Sequence, residues 1–277
     1  MRESFFVDKI IFMKVKYINL NIWSGRLLDQ AVDFLKKENA DILSLQEVYN
    51  GKDPSLPKHY RTLEILVSEL GLPYHIYHSN FLDARDIPIE MGNAILSRFS
   101  IVSNDTAFLT GKFGRISQDG IIEELPRNIL QAEIDARGLK INVFNMHGIW
   151  GQHGDDTKER LLMVEKIVKI ISGKPKTILS GDFNFNERIF GTKMSHEIDL
   201  SHWYNTESVK KLEAVLQNVF KNERITSFNM KRKEHDIGYA KAVVDMVFVS
   251  SDIQVLKHEQ PNIDISDHLP QVCVFEV

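Results

Sequence analysis

Thr177-Ile178-Leu179-Ser180-Gly181-Asp182-Phe183-Asn184 is an apolar run that ends on a glycine, a carboxylate and an amide. Short apolar runs bounded by turn formers read as buried strands. A carboxylate at the last residue of such a strand is unfavourable unless something compensates its charge. Two further segments have the same build, Asp41-Ile42-Leu43-Ser44-Leu45-Gln46-Glu47 and Ser266-Asp267-His268-Leu269-Pro270. Three such strand ends, far apart in sequence, suggest oxygen ligands converging on a hard divalent cation, the arrangement used in metal-assisted phosphoester hydrolysis.

Outward from these segments the chain alternates strands and helices. A strand from Val15 to Ile22 leads to a helix from Leu27 to Glu38, whose Leu28, Ala31, Val32 and Leu35 share one face at helical spacing. A second helix is expected from Tyr60 to Leu70, stopped by Gly71, a third from Thr157 to Ile171 and a fourth from Glu207 to Phe220. Strands are expected at Tyr74–His78, Asn93–Ser97, Asn128–Ile134, Lys140–Met146, Lys176–Ser180, Val243–Ser250, Ile253–Leu256 and Gln271–Phe275. Asn21-Ile22-Trp23-Ser24-Gly25 and Asn145-Met146-His147-Gly148-Ile149-Trp150-Gly151 echo one another, each passing from a strand through a helix to a strand containing Ile-Leu-Ser. Two such halves would place active groups at equivalent strand ends of two packed sheets with helices outside.

At 277 residues the chain can bury a sizeable core, and no linker or low-complexity tract divides it, so residues 13–277 read as a single domain. Residues 1–12 are apolar but interrupted by Asp8 and Lys9, with no small-residue cleavage site after them, and are expected to be a disordered leader or a start-site artefact. No apolar stretch reaches the length of a membrane span. The lone Cys273 lies in the apolar run Val272-Cys273-Val274-Phe275 and reads as a core residue; one thiol makes no internal disulfide, which fits a reducing, cytoplasmic setting. The net charge of -4 argues against a protein that coats nucleic acid by electrostatics alone. Lys210-Lys211 and Lys231-Arg232-Lys233 read as solvated faces.

With these residues assembled, the chain resembles the endonuclease/exonuclease/phosphatase superfamily, which includes the deoxyribonuclease I-like and exonuclease III-like nucleases. Seven motifs appear in family order across residues 15–277: Asn21, Leu45-Gln46-Glu47, Gly92-Asn93-Ala94-Ile95-Leu96-Ser97-Arg98, Asn145-Met146-His147, Gly181-Asp182-Phe183-Asn184, Asp245 and Ser266-Asp267-His268. The resemblance implies an α/β fold of the α+β type: two packed, mainly antiparallel sheets flanked by helices in a four-layer α-β-β-α sandwich. It makes Glu47 the main ligand of Mg²⁺ or Mn²⁺, with Asp267 and Asn21 near the metal. Asp182 would orient or deprotonate the attacking water, and Asn184 would hold phosphate oxygens. His268, buttressed by Asp245, would stabilise charge on the scissile phosphate. His147 matches a second catalytic histidine suited to protonating the leaving oxygen, with Glu90 the nearest candidate to orient it.

Asn93, Arg127 and Asn128 are candidates to contact the substrate. Other readings stand beside these roles: Asn21 as a turn cap, Trp23 and Trp150 as packing residues, Arg98 and Arg160 as ties between strand and helix. A lone charge in Val243-Val244-Asp245-Met246-Val247-Phe248-Val249 needs a specific partner.

The expected reaction is metal-dependent phosphoester hydrolysis, with a nuclease acting on DNA as the first reading. The alternatives are a phosphodiesterase or phosphatase for a lipid or small-molecule ester, and a non-catalytic binding protein on the same fold. Substrate choice is expected from the loops over the strand ends. One is Phe185 to Asn205, with His196, His202, Trp203 and Tyr204; another is Thr110 to Pro126, with Phe113 and Arg115. Nothing in the sequence marks a protein partner, and a monomer is expected.

Overall fold

The computed structural model describes residues 12–120, 124–150, 156–185, 206–221, 226–229, 231 and 242–277. Its elements run β1 (Lys14–Asn21), α1 (Leu28–Glu38), β2 (Ile42–Tyr49), α2 (Thr62–Leu70), β3 (Tyr74–Asp83), β4 (Ile89–Ser97), β5 (Ser100–Thr110), β6 (Arg115–Ile116), β7 (Arg127–Ala136), β8 (Leu139–His147), α3 (Lys158–Ile171), β9 (Thr177–Asp182), α4 (Glu207–Glu213), β10 (Gln217–Asn218), β11 (Asp245–Val249), β12 (Gln254–Glu259) and β13 (Gln271–Glu276). The helix ends follow local chemistry. Asn39 and Gly71 take left-handed conformations that close α1 and α2, and the Thr157 hydroxyl caps α3 by accepting the Arg160 amide.

The strands form a seven-stranded sheet, β12-β13-β1-β2-β4-β3-β6, and a six-stranded sheet, β10-β11-β9-β8-β7-β5. Neighbours are antiparallel except for β1/β2, β3/β6 and β8/β9. The inner faces meet in a core that includes Val15, Tyr17, Ile42, Ile95, Val143, Ile178, Val247 and Phe275. On the outer face of the first sheet, Ile18, Leu20, Leu43 and Leu96 pack against α1 and α2. On that of the second, Phe144, Met146, Leu179 and Phe248 pack against α3 and α4. Successive strand residues point to opposite faces, so strands covered on both sides read as unbroken apolar runs. The result is the four-layer α-β-β-α sandwich expected from the motifs.

The two sheets repeat one plan. The order β12-β13-β1-β2-β4-β3 matches β5-β7-β8-β9-β11-β10, with the parallel pair β1/β2 answering β8/β9 and α1 answering α3. One expectation is corrected: α4 ends at Glu213 rather than running to Phe220. Gln217 and Asn218 pair with β11, and Val219 and Phe220 turn into the inter-sheet core, a burial that a continued helix would forgo. No helix among the described residues is long and apolar enough to cross a membrane.

Candidate active site

The inner face of β1 grades from apolar to polar along the strand. Val15, Tyr17, Asn19 and Asn21 alternate toward the second sheet, and all are buried. The last of them ends the strand. Its amide nitrogen donates to Glu47 Oε1 at 3.2 Å and to Asp182 Oδ2 at 3.1 Å, so one side chain bridges carboxylates carried by the two sheets. Its oxygen accepts the Trp23 amide at 3.0 Å.

Glu47 is held in a costly backbone conformation. Its φ is +58°, and the β2/β4 pairing slips between Leu45 and Val48, which places Glu47 at a bulge. Trp23, Ser24 and Gly25 also have positive φ, 50°, 52° and 72°. Their turn brings the Ser24 hydroxyl to Glu47 Oε2 at 3.0 Å. Non-glycine residues in this region cost about 1–3 kcal/mol each and persist where the surroundings over-determine them. Nothing in residue type signals Ser24 as a partner of Glu47, since its position depends on the turn.

Asp182 closes β9 in register with His147 on β8 and Asp245 on β11. Its Oδ1 accepts the Asn184 amide at 3.0 Å, and its Oδ2 lies 3.5 Å from His147 Nε2 and 3.8 Å from His268 Nε2. Burial, with the charges of Asp245 and Glu47, pushes its pKa up to about 7 against the pull of His268 and the Asn21 hydrogen bond. Gly181 makes this strand end possible, because a Cβ there would overlap the Met146 carbonyl of β8. Asn184, also left-handed at φ +57°, donates its side-chain amide to the Gly148 carbonyl at 3.2 Å. Buried Arg160 binds the carbonyls of Ile149 and Asn184, tying together the segments that leave β8 and β9.

His268 Nδ1 and Asp245 Oδ2 are 2.8 Å apart. Burial opposes a charge on His268, but Asp245, Asp267 and Asp182 overcome it and hold the pKa well above the usual histidine value. His147 goes the other way: burial, then Arg127 and His268, push it well below that value, so its imidazole is neutral. Asp267 joins through Ser266, whose hydroxyl reaches both Asp267 Oδ1 at 3.2 Å and the Asn21 carbonyl at 2.7 Å.

Arg127 is almost wholly buried, and its guanidinium makes no hydrogen bond or ion pair among the described residues. Burial lowers its pKa to about 10, against the attraction of Asp182 and Glu47. Asn128 is locked in protein contacts, its side-chain nitrogen on the Ser79 carbonyl and near His78 Nδ1, its oxygen taking the Asn93 amide at 2.9 Å. Asn93 Oδ1 is buried without a hydrogen bond among the described residues. Glu90 is exposed near the start of β4, whereas the carboxylate facing His147 is that of Asp182. Arg98 ties to Asp41 and Asn39. In the two candidate loops, Phe113 is exposed and Arg115 pairs with the sheet edge, while residues 186–205 lie outside the described residues, as do residues 1–11 and Arg232-Lys233.

A polar layer supports the site from below. Gln46 Nε2 donates to Asn19 Oδ1 at 2.9 Å and Asn145 Oδ1 at 2.6 Å, and Asn19 donates to Gln271 Oε1 at 3.0 Å. Gln271 in turn donates to the Asp245 carbonyl at 3.0 Å, and Asn145 to the carbonyls of Leu45 and Ala94. Deeper still, the Tyr17 hydroxyl contacts Ser44 and Ser180.

The donor chemistry fits a hard divalent cation. Oxygen atoms of Asp182 and Asp245 and a nitrogen of His268 lie within 4.8 Å of one another. His268 is held by Asp245 through Nδ1, and the two carboxylates are the hard oxygen donors of this group. The carboxylates of Glu47 and Asp182 both accept from the Asn21 amide, which brings a further acidic side chain to this cluster.

Fold and site define a protein built around a buried carboxylate–histidine cluster at paired strand ends. The profile of the endonuclease/exonuclease/phosphatase family matches residues 18–268, and the chain belongs to that family, whose members are divalent-metal-dependent phosphoester hydrolases. Among solved structures, it is similar to an endonuclease/exonuclease/phosphatase from Bacteroides vulgatus, at 17% identity and TM-score 0.67 over 96% of this chain and 99% of that one. It is also similar to the mannosyl-6-phosphatase Bt3783 of Bacteroides thetaiotaomicron VPI-5482, at 18% identity and TM-score 0.64 over 95% and 99%. D. rerio TDP2, in complex with a single-strand DNA product, matches at 15% identity and TM-score 0.64 over 95% and 99%. At these identities the likeness establishes the fold alone. No curated protein sequence gives a significant match.

Proposed function

We propose that this chain hydrolyses a phosphoester by in-line attack of a water at the Glu47–Asp182 end of the site. The observation that carries the reading is the pair of carboxylates from two sheets, bridged by Asn21 and facing the His268–Asp245 pair. Glu47 and Asp182 would hold Mg²⁺ or Mn²⁺, with Asp267 alongside. The cation, when bound, supplies positive charge to the phosphate oxygens. Arg127, a buried cation whose guanidinium has no hydrogen-bond or ion-pair partner among the described residues, is suited to donate to a phosphate oxygen.

In the reaction, the water oxygen bonds to phosphorus as the bond to the leaving oxygen breaks. Asp182 takes the water proton, and Asn184 keeps that carboxylate oriented through its backbone amide. Protonated His268, fixed by Asp245, donates to the developing negative charge. His147 gives its proton to the leaving oxygen. Neutral at rest, it would first take up a proton from solvent, which the charge of a bound phosphate favours against burial, Arg127 and His268.

Cleavage of DNA is supported by His147 and by the likeness to a DNA-bound neighbour. Hydrolysis of a small-molecule ester is supported by the likeness to a sugar phosphatase and by a charge-balanced cavity next to Glu47. The test is turnover of bis(p-nitrophenyl) phosphate, p-nitrophenyl phosphate and plasmid DNA with Mg²⁺ or Mn²⁺, with chelator controls. Glu47→Ala and His268→Ala should each lose about 10³-fold in kcat while remaining folded. Wild-type turnover in both variants would refute the assignment.

A further inference from the structure

A cavity of about 630 Å³ opens at the Glu47 end of the site. Sites for small molecules occupy roughly 300–1,000 Å³. Ser24, which holds Glu47 Oε2, and Tyr49, two residues beyond Glu47 on the same strand face, both line it. A group esterified to a phosphate at Glu47 therefore has this cavity beside it.

The wall chemistry narrows what that group is. Arg26, Lys58 and Arg85 balance Asp29, Asp83 and Asp86. Much of this charge is committed. Lys58 pairs with Asp29 at 2.8 Å, and Arg85 grips Asp83 through two nitrogens at 2.9 and 2.8 Å. The Tyr49 hydroxyl donates to the same Asp83, and that of Tyr60 to Asp86 at 2.8 Å. With Lys58 and Arg85 neutralised in this way, the wall has no surplus of positive charge to draw further phosphates or the backbone of a polyanion. The tyrosine rings of the wall are not open platforms for a base either. Tyr49 and Tyr60 are buried and packed edge-on to each other at 5.0 Å, and Arg26 covers a face of Trp23 at 4.8 Å. What remains is a rim of fixed donors and acceptors, in which carboxylate–guanidinium pairs can each give and take hydrogen bonds from neighbouring hydroxyls.

We propose that this cavity binds the neutral, hydroxyl-rich part of the substrate, a sugar or polyol whose phosphate sits at Glu47 and Arg127. This rests on the phosphoester-hydrolase reading and makes the natural substrate a polyol phosphate rather than nucleic acid.

The experiment compares kcat/KM for glucose 6-phosphate and glycerol 3-phosphate with that for ethyl phosphate. All three release a primary alcohol, so their ratio reports the cavity rather than leaving-group reactivity. The wild type should favour the hydroxylated esters by about 10²-fold, and Arg85→Met and Asp86→Ala should each lower that ratio by about tenfold, the scale of a hydrogen bond to a charged group. A merely structural change would lower all three esters together and leave the ratio intact. A wild-type ratio near one, a ratio unmoved in both variants, or plasmid cleavage more efficient than any of these monoesters would overturn the proposal. If no ester of any kind turns over, the hydrolase reading fails, and the cavity is then judged by ligand-observed NMR with glucose 6-phosphate. Binding that Asp86→Ala weakens would support the cavity assignment, and no binding would overturn it.

Discussion

Asp182 is a carboxylate whose surroundings make its charge expensive. Its pKa, raised to about 7 from an unfolded value near 4, means that it stabilises the cation-free fold fully below about pH 4. That stability is lost as pH rises through about 7. Asp182→Asn removes the titration, so in chelator the melting temperature of the variant minus that of the wild type should widen between about pH 4 and 7, then level off. A gap that stays flat across this window would show Asp182 ionising at its ordinary pKa. At this scale much of the site was legible. Asn21, Glu47, His147, Asp182 and Asp245 are polar groups set into or at the ends of apolar strands. They fall together in space with His268, which lies not at a strand end as expected but in the segment that leads into β13. Ser24 was not legible, because its reach to Glu47 depends on consecutive left-handed residues that no side-chain pattern announces. The neutral state of His147 was equally hidden, since it arises from burial first and then from Arg127 and His268, remote in sequence.

Among the elements, β9 is the one on which the site depends most. It lies between β8 and β11 and presents Asp182 to both. Gly181→Ala forces a methyl into the Met146 carbonyl of β8, with backbone rather than a flexible side chain as the obstacle. A loss of roughly 3 kcal/mol is expected in urea unfolding, on the scale of strain at a special backbone position. An unchanged midpoint would mean that β8 and β9 separate at little cost. The helix α1 was readable from its apolar spacing, and α2 from the Gly71 that stops it. The strand β5 escaped notice because it is an edge strand: Ser103, Asn104 and Asp105 are exposed, so the apolar alternation of a half-buried strand is absent. The end of α4 was misplaced because apolar residues that dock in a core after a turn carry the same signal as a continuing helix.

For the whole molecule, cation binding and folding are linked, since the proposed ligands come from both sheets and meet only in the folded chain. Mg²⁺ at about a hundred times its Kd should stabilise the protein by about 2.7 kcal/mol, readable as a rise in melting temperature that Glu47→Ala abolishes. No rise at any Mg²⁺ concentration would count against Glu47 and Asp182 as ligands. The repeated sheet plan explains why the motifs lie far apart in sequence: matching strand ends of two similar halves face each other, so each half supplies part of the cluster. The sequence echo between residues 21–25 and 145–151 begins at matching places in that plan, the ends of β1 and β8.

The chain of amides from Asn145 through Gln46 and Asn19 to Gln271 has a consequence for assembly. Purely greasy strands tolerate sliding, because one apolar neighbour substitutes for the next. Here a slip of one residue in β1 or β2 would turn Asn19 or Gln46 toward the helices and leave buried amides unanswered in both layers. These amides therefore act as a register mark for the sheet, since a misaligned pairing forfeits hydrogen bonds that only the observed alignment makes.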